Sequence, residues 1–202
     1  NLALRVLGRD GHPLERAGAA GIIRRDEAHV ASSHPTRRSA AYHTASAGDR
    51  RRAHGAVAET LTDEVVRAWH AGQAAVGPDD GVADDLTRAA DTLLGRRAPV
   101  AAAGSFERAA ALTTDPEAAG VRLRRAAEAL AETGRTEAAL ALLDQADDLG
   151  RLELEAARRE QLRLRLAARG GATEEAIEGL RSLAARVQAL DPLLSAQVWL
   201  DA

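Results

Sequence analysis

The chain has no cysteine among its 202 residues. This absence excludes disulfides, thiol nucleophiles and zinc sites with cysteine ligands, and it favours a reducing compartment. No stretch reaches the roughly 18 consecutive apolar residues of a membrane span. The opening NLALRVLGRDG lacks the basic-then-apolar layout of a signal peptide. We therefore expect a cytoplasmic protein with no membrane partner.

Lysine is absent as well, so all 27 basic residues are arginine. A phosphate-binding loop of the form GxxxxGK[ST] requires its lysine, and Schiff-base chemistry requires one too. The nucleophile pattern GxSxG and the zinc pattern HExxH do not occur either. We therefore predict that this chain is not an enzyme, with no catalytic residues and no cofactor of its own.

The six histidines, at positions 12, 29, 34, 43, 54 and 70, form no pair at i,i+4 spacing. Without cysteine partners, such a set gives little support to a metal site. The sequence predicts isolated exposed or helix-capping histidines, and no metal ligands.

Aromatic residues make up only 2% of the chain, whereas hydrophobic residues make up 46%. A core must therefore be built from alanine, leucine and valine, which favours closely packed helices. Strand signals are scarce. The predicted fold class is mainly all-α, with a winged-helix-like N-terminal part followed by a tetratricopeptide-like α-solenoid of helical hairpins.

From about residue 80 onward the apolar spacing is helical and recurs every 37 residues. Gly134 and Gly171 coincide under this period, where a turn between helices requires positive φ. A period of about 34 to 40 residues is typical of tetratricopeptide-like arrays. An irregular helical bundle is the alternative. The recurring positions are Ala102, Ala103, Phe106 and Ala109; Ala139, Leu140, Leu143 and Ala146; and Ala176, Ile177, Leu180 and Leu183.

The predicted array covers residues 81–202. Its first helices are expected near 82–95, 117–132 and 152–168, and its second helices near 99–112, 136–148 and 173–189. Aspartate followed by proline, at 115–116 and 191–192, predicts two helix starts, because aspartate caps a helix and proline fits its first position.

Residues 1–61 follow a different pattern, and residues 62–80 are expected to form a connecting helix and linker. Helix, wing, helix is the layout of a winged-helix fold. The predicted elements are a helix over 12–23, a β-hairpin wing over 24–33, a helix from Pro35, and a helix over 47–61 capped by Ser46.

Charge is distributed unevenly along the chain. Residues 1–60 carry ten arginines against six acids, and residues 61–202 carry seventeen against twenty-four. Seven of these ten arginines could contact the phosphates of duplex DNA. Alternatively, they form a solvated face or dock onto an acidic neighbouring domain, because duplex binding normally requires a denser basic surface. They are Arg24, Arg25, Arg37, Arg38, Arg50, Arg51 and Arg52.

Three stretches in order carry a family resemblance: LERAGAAGIIRRDEAHVASSHPTRRSAAYHTASAGDRRRAHGAVAETL, RAWHAGQAAVGPDDGVADDLTRAAD and SFERAAALTTDPEAAGVRLRRAAEALAETGRTEAALALLDQA. Over residues from about 14 to 150 the chain resembles the middle of an actinobacterial large ATP-binding regulator of the LuxR type. Such regulators resemble signal-transducing ATPases that contain a P-loop ATPase, a winged helix, a helical repeat region and a C-terminal helix-turn-helix.

The resemblance implies that this chain corresponds to the winged helix and the repeats of a longer parent protein. The nucleotide loop would then precede residue 1, and the DNA-reading helix would follow residue 202. ATP or ADP and Mg would be cofactors of the parent. The implied partners are the parent's ATPase and DNA-binding domains, an effector or protein on the concave repeat face, or a second copy of the chain. DNA would be contacted only through the parent's C-terminal domain.

Around the His-Pro step, family members read roughly F-R-H-P-L-V-R-S-A-V-Y. This chain matches that pattern at His34, Pro35, Arg38, Ser39, Ala40 and Tyr42, and it has Ser32, Ser33 and Thr36 where the family has Phe, Arg and Leu. In related ATPases, a winged-helix histidine at this kind of position approaches the phosphates of the nucleotide.

The residues themselves give a reason for a nucleotide-sensing candidate made of His34, Arg37 and Arg38. Pro35 at the first helical position makes His34 the cap, where free N–H groups and the helix dipole favour an anion. Arg37 and Arg38 then lie in the first turn. The alternative is a structural cap with no ligand.

Two functions remain open on the sequence. One is a regulatory and interaction segment, in which the winged helix couples to a neighbouring ATPase domain and the repeats bind an effector or protein. The other is an independent winged-helix DNA-binding module with a helical dimerisation tail.

Overall fold

The structure, a computed structural model, describes residues 12–21, 23–25, 30–32 and 34–202. The chain divides into two compact units, with the boundary between Gly77 and Pro78. The described part is mainly helical, as the composition predicts. No helix in that part is both long and apolar enough to cross a membrane.

The first unit contains a short helix, a two-stranded hairpin and three further helices. The strands are antiparallel, with Arg24 opposite Ala31. The elements are α1 (His12–Ala19), β1 (Ile23–Arg25), β2 (Val30–Ser32), α2 (Pro35–Thr44), α3 (Ala47–Ala58) and α4 (Glu64–Ala74).

Two helix ends in this unit differ from the prediction. The helix expected over 12–23 ends at Ala19, because Ala20 and Gly21 form a turn and Gly21 has φ of 65°. The helix expected over 47–61 ends at Ala58. Its predicted start is confirmed, since the Ser46 hydroxyl accepts a hydrogen bond from the Asp49 amide at 3.1 Å.

The second unit is a row of antiparallel helical hairpins followed by one further helix. Consecutive helices pack on each other within each hairpin, and α6 also packs on α7. The helices are α5 (Asp80–Gly95), α6 (Pro99–Leu112), α7 (Pro116–Ala131), α8 (Thr136–Leu149), α9 (Glu153–Arg169), α10 (Thr173–Val187) and α11 (Pro192–Asp201). We call α5, α7 and α9 the first helices and α6, α8 and α10 the second helices.

The predicted signals for starts and turns are confirmed in this unit. Asp115 and Asp191 cap α7 and α11 through their carboxylates, each directly before a proline. The turn glycines Gly134 and Gly171 have φ of 76° and 106°. In the first hairpin Arg97, 37 residues before Gly134, occupies the same left-handed region at φ 58°.

The recurring apolar positions form the core of the second unit. Phe106, Leu143 and Leu180 are completely buried, one on each second helix. A large hydrophobic cluster extends from α5 to α9, and a smaller one joins α9, α10 and α11. Helix α9 contributes Leu162 and Leu166 to the first cluster and Ala157 to the second. It therefore links the two clusters.

Candidate functional site

The histidine of the predicted nucleotide sensor caps a helix. His34 has extended backbone (φ −153°, ψ 139°), and its Nδ1 accepts a hydrogen bond from the Thr36 amide at 3.3 Å. The Thr36 hydroxyl lies 2.7 Å from the same nitrogen. The side chain is exposed. His34 is thus a structural cap in this chain, and one imidazole nitrogen is engaged by its own helix.

The two arginines of the predicted sensor follow in the first turn of α2. Arg37 and Arg38 are the third and fourth residues of the helix, and their side chains lie outside the described part of the chain. The backbone therefore places all three candidate residues at one helix end. Their role with nucleotide stays a prediction.

A second cluster, formed by Tyr42, His54, Trp69 and His70, connects α2, α3 and α4. The Nδ1 atoms of His54 and His70 lie 2.9 Å apart, and the Tyr42 hydroxyl lies 3.2 Å from Nε2 of His54. Trp69 contacts both imidazoles edge-on. We call this the histidine cluster. Only one proton can lie between the two Nδ1 atoms, so at least one imidazole there is neutral.

The histidine cluster corrects the prediction that the histidines are isolated, exposed or capping. His54 is 7% exposed. Burial lowers the pKa of His54, and burial together with the charge of His54 lowers the pKa of His70. Arg50 lies over the Tyr42 ring of the cluster, 5.5 Å from its centroid. Within the described residues, no group of three or more histidine, aspartate or glutamate side chains is arranged to hold a metal ion.

Ion pairs join the first helices of the second unit to one another. Arg122 on α7 contacts Asp84 on α5 at 2.5 Å, and Arg125 on α7 pairs with Asp91 on α5. Arg124 on α7 contacts Glu155 on α9 at 2.7 Å, largely buried. The first helices carry nine acidic residues and nine arginines in total. Their charges are therefore balanced and mostly engaged within the chain.

The joint between α8 and α9 is polar and closely packed. Arg159 is 2% exposed, and its Nη2 donates to the Gly150 carbonyl at 3.1 Å. Its Nη1 is buried and has no hydrogen-bond partner among the described residues. A Cβ at Gly150 would lie 3.2 Å from that nitrogen and 3.1 Å from Oε2 of Glu117. There is consequently no room here for a ligand.

The second helices have a different charge balance. They carry eight acidic residues but only three arginines. Five of the acids form no hydrogen bond or ion pair within the described part of the chain. These five are Glu107, Glu137, Asp148, Glu174 and Glu175. The face of the second helices is therefore acidic and largely unneutralised.

A groove of about 450 Å³ opens between α6 and α8 on this face. Its apolar lining includes Leu130 and Leu142, each 6% exposed, and Val100, which is 43% exposed. Gly104 and Ala138 keep the lining shallow. We call this the α6–α8 groove. Its walls are formed by small and apolar side chains.

Three polar side chains border the α6–α8 groove, namely Glu107, Arg135 and Gln145. Burial raises the pKa of the Glu107 carboxyl above its ordinary value. Arg135 precedes the first residue of α8 and makes no side-chain cap. Among the described residues, neither charge has an ion-pair partner. The groove therefore leaves one carboxylate and one guanidinium available to a ligand.

Sequence reasoning did not find either of these sites. His54 and His70 are separated by 16 positions on different helices, and no local spacing signals such a pair. Glu107 looks like any polar residue on a helix surface. The one available signal for the groove was the acidic excess of the second helices against the balanced first helices.

Comparison with protein-family models, with curated proteins and with solved structures gives no match for this chain.

Proposed function

We propose that this chain is a regulatory and interaction segment of an ATP-dependent transcriptional regulator of the LuxR type. In this proposal the row of hairpins binds a protein partner on the face of its second helices. The N-terminal helices and hairpin form a winged helix that couples to the ATPase domain of the parent protein, and DNA is read elsewhere in that parent.

The observation that carries the proposal is the contrast between the two sets of helices. Charges on the first helices hold neighbouring hairpins together, as in the pairs Arg122–Asp84 and Arg124–Glu155. On the second helices, five of the eight acids, including Glu107 at the edge of an open groove, form no hydrogen bond or ion pair within the described residues. Repeat arrays bind partners in this manner, because each hairpin contacts only its neighbours and one long face stays accessible.

The nucleotide-sensing part of the proposal rests on the position of His34. It caps a helix of ten residues whose first turn contains Arg37 and Arg38 but no acidic residue. Free N–H groups and the helix dipole at such an end favour an anion. In the parent, a phosphate of the ATPase nucleotide would compete with the His34 imidazole to accept the Thr36 N–H.

A second candidate function is DNA binding by the first unit. The order of helix, β-hairpin and helix over residues 12–44 favours it. The arginine triplet at 50–52 does not, because Arg50 donates to the Ala45 carbonyl and Arg52 pairs with Asp49. Only Arg51 of the three has no such partner among the described residues. The basic surface that this triplet offers to phosphates is therefore small.

The test uses the parent protein and the variant His34→Ala. We expect the variant to change nucleotide off-rate or basal promoter activation by about ten-fold, the effect of losing one charge-assisted contact of about 1.5 kcal/mol. The free energy of unfolding of this chain should fall by only about 1 kcal/mol, the usual cost of a lost cap. Unchanged off-rate and activation would contradict the coupling.

The same preparation separates the two candidate functions. A gel-shift titration of this chain with a short DNA duplex at low salt should give no complex. A salt-dependent complex would favour the independent DNA-binding module and overturn the interaction segment.

A further inference from the structure

We propose that the α6–α8 groove docks a basic, amphipathic helical segment of a protein partner, with a cationic side chain of that segment against Glu107. This inference rests on the proposed function and names the chemistry of its partner. The proposal thus concerns one protein segment that binds in one groove.

The shape of the groove matches a helix. Val100, Gly104 and Glu107 follow one stripe of α6, because residues three and four apart share a helix face. Ala138, Ala141 and Gln145 form the equivalent stripe on α8. A Cβ built on Gly104 would meet no heavy atom within 4 Å. Small residues on both stripes therefore allow the backbone of a docked helix to approach closely.

The apolar content of the groove calls for an apolar stripe on the occupant. Val100 is a large hydrophobic side chain exposed at the groove wall, and Leu130 and Leu142 form the base beneath it. Covering such surface is favourable by about 25 cal/mol per Å² of apolar area removed from water. An amphipathic helix supplies that stripe in the helix-in-groove mode of recognition.

The charges around the groove determine whether a basic or an acidic partner is favoured. Glu107 lies in the groove lining beside Val100 and Gly104, and although its side chain is exposed, partial burial raises its pKa. It forms no ion pair within the described chain. An approaching lysine or arginine would favour the charged form of this carboxyl and gain a charge-assisted hydrogen bond. The second helices add to the attraction, since five of their eight acids have no partner within the described chain.

Arg135 adds a positive charge to the border of the groove, in addition to the negative charge of Glu107. It lies at the start of α8, ten residues before Gln145, which corresponds to about 15 Å along a helix. A cation on the occupant is attracted by Glu107 and repelled by Arg135. The two groove charges therefore have opposite effects on a basic segment, which provides an internal comparison.

The probe is a capped synthetic peptide of about 18 residues, with leucines at helical spacing and lysines on the opposite face. In one control peptide every lysine is replaced by glutamate. A second control peptide has the same composition as the lysine peptide, but its residues are ordered without the helical period. Isothermal titration calorimetry, with the lysine peptide added to the whole 202-residue chain at low salt, should give a dissociation constant on the order of 10 µM. Binding should weaken as salt is added, because salt screens the attraction.

Three variants locate the binding. Gly104→Leu should weaken binding of the lysine peptide at least ten-fold, because the leucine side chain fills the groove. Glu107→Gln should weaken it about ten-fold through loss of the charge-assisted contact, and Arg135→Gln should strengthen it. The matched controls Gly95→Leu and Glu132→Gln alter an open helix glycine and an exposed acid that are not among the residues lining the groove. These two should leave the affinity unchanged.

The proposal is overturned if the lysine peptide does not bind at millimolar concentration, if the glutamate peptide binds equally well, or if Gly104→Leu has no effect. Circular dichroism melting of every variant confirms that the fold is retained. A failure of the docking proposal can be distinguished from a failure of the proposed function. The groove is tested with peptide and this chain, whereas nucleotide coupling is tested with His34→Ala in the parent.

Discussion

Arg97 shows how a single residue departs from the repeat without altering the fold. The turns between first and second helices contain Gly134 and Gly171 at positive φ, and Arg97 adopts φ 58° at the equivalent place. A non-glycine residue in the left-handed region costs about 1 to 2 kcal/mol. The 37-residue period predicts this position, but the sequence alone gives no sign that arginine is accommodated there.

We expect Arg97→Gly to raise the free energy of unfolding by about 1 kcal/mol, because glycine adopts positive φ without a Cβ penalty. The reciprocal change Gly134→Ala should lower it by a similar amount. Urea unfolding followed by circular dichroism measures both. An Arg97→Gly protein no more stable than the original chain would contradict the strain assigned to this turn.

At the scale of elements, the hairpins of the second unit could be predicted well because their signals are local. Aspartate-proline starts, turn glycines and the 37-residue apolar period each act within a few residues, and the structure places α6 at Pro99–Leu112 as predicted. The helix predicted over 12–23 is longer than the observed one, because the alanine-rich residues around the turn at Gly21 are also compatible with a continuous helix.

The two sites of the chain depend on pairing between elements, which local spacing does not encode. The histidine cluster requires α2, α3 and α4 to meet, with Tyr42, His54 and His70 each on a different helix. The groove requires α6 and α8 to lie side by side. The sequence predicts the helices and the charge imbalance, but not the position of Glu107 at the edge of this groove.

The histidine cluster makes the packing of α3 on α4 sensitive to pH. The pKa values of His54 and His70 are lowered in the folded chain, so the unfolded chain binds more protons once pH falls below about 6.5. The stability from the pair is complete above that pH and is lost as pH falls towards the lowered folded values. Acidification should therefore destabilise the first unit.

The measurement is the urea midpoint of the first unit at pH 7.5 and pH 5.5, followed by fluorescence of Trp69. Trp199 is replaced by phenylalanine to leave a single tryptophan. The midpoint should fall on acidification in this background, whereas His70→Gln should abolish most of the fall. His43→Gln, an exposed histidine on α2, should leave the fall intact. A pH response that survives His70→Gln would contradict the role of the pair.

At the scale of the whole molecule, the two sets of helices have different roles. The first helices hold the array together through ion pairs such as Arg124–Glu155, which is largely buried. The second helices build the core on one side and present an acidic face on the other. The acids that border or surround the groove without a partner, such as Glu107 and Glu137, take no part in the ion pairs that join the hairpins.

The most direct test of this division is promoter activation by the parent protein carrying Gly104→Leu, compared with the parent carrying Gly95→Leu. Both glycines lie in helices with open space around the position of a Cβ, so neither change should disturb folding. Of the two, Gly104 alone borders the groove. We predict that Gly104→Leu changes activation several-fold while Gly95→Leu leaves it unchanged. Equal activation by both variants and the unaltered parent would contradict the claim that the second-helix face receives the regulatory partner.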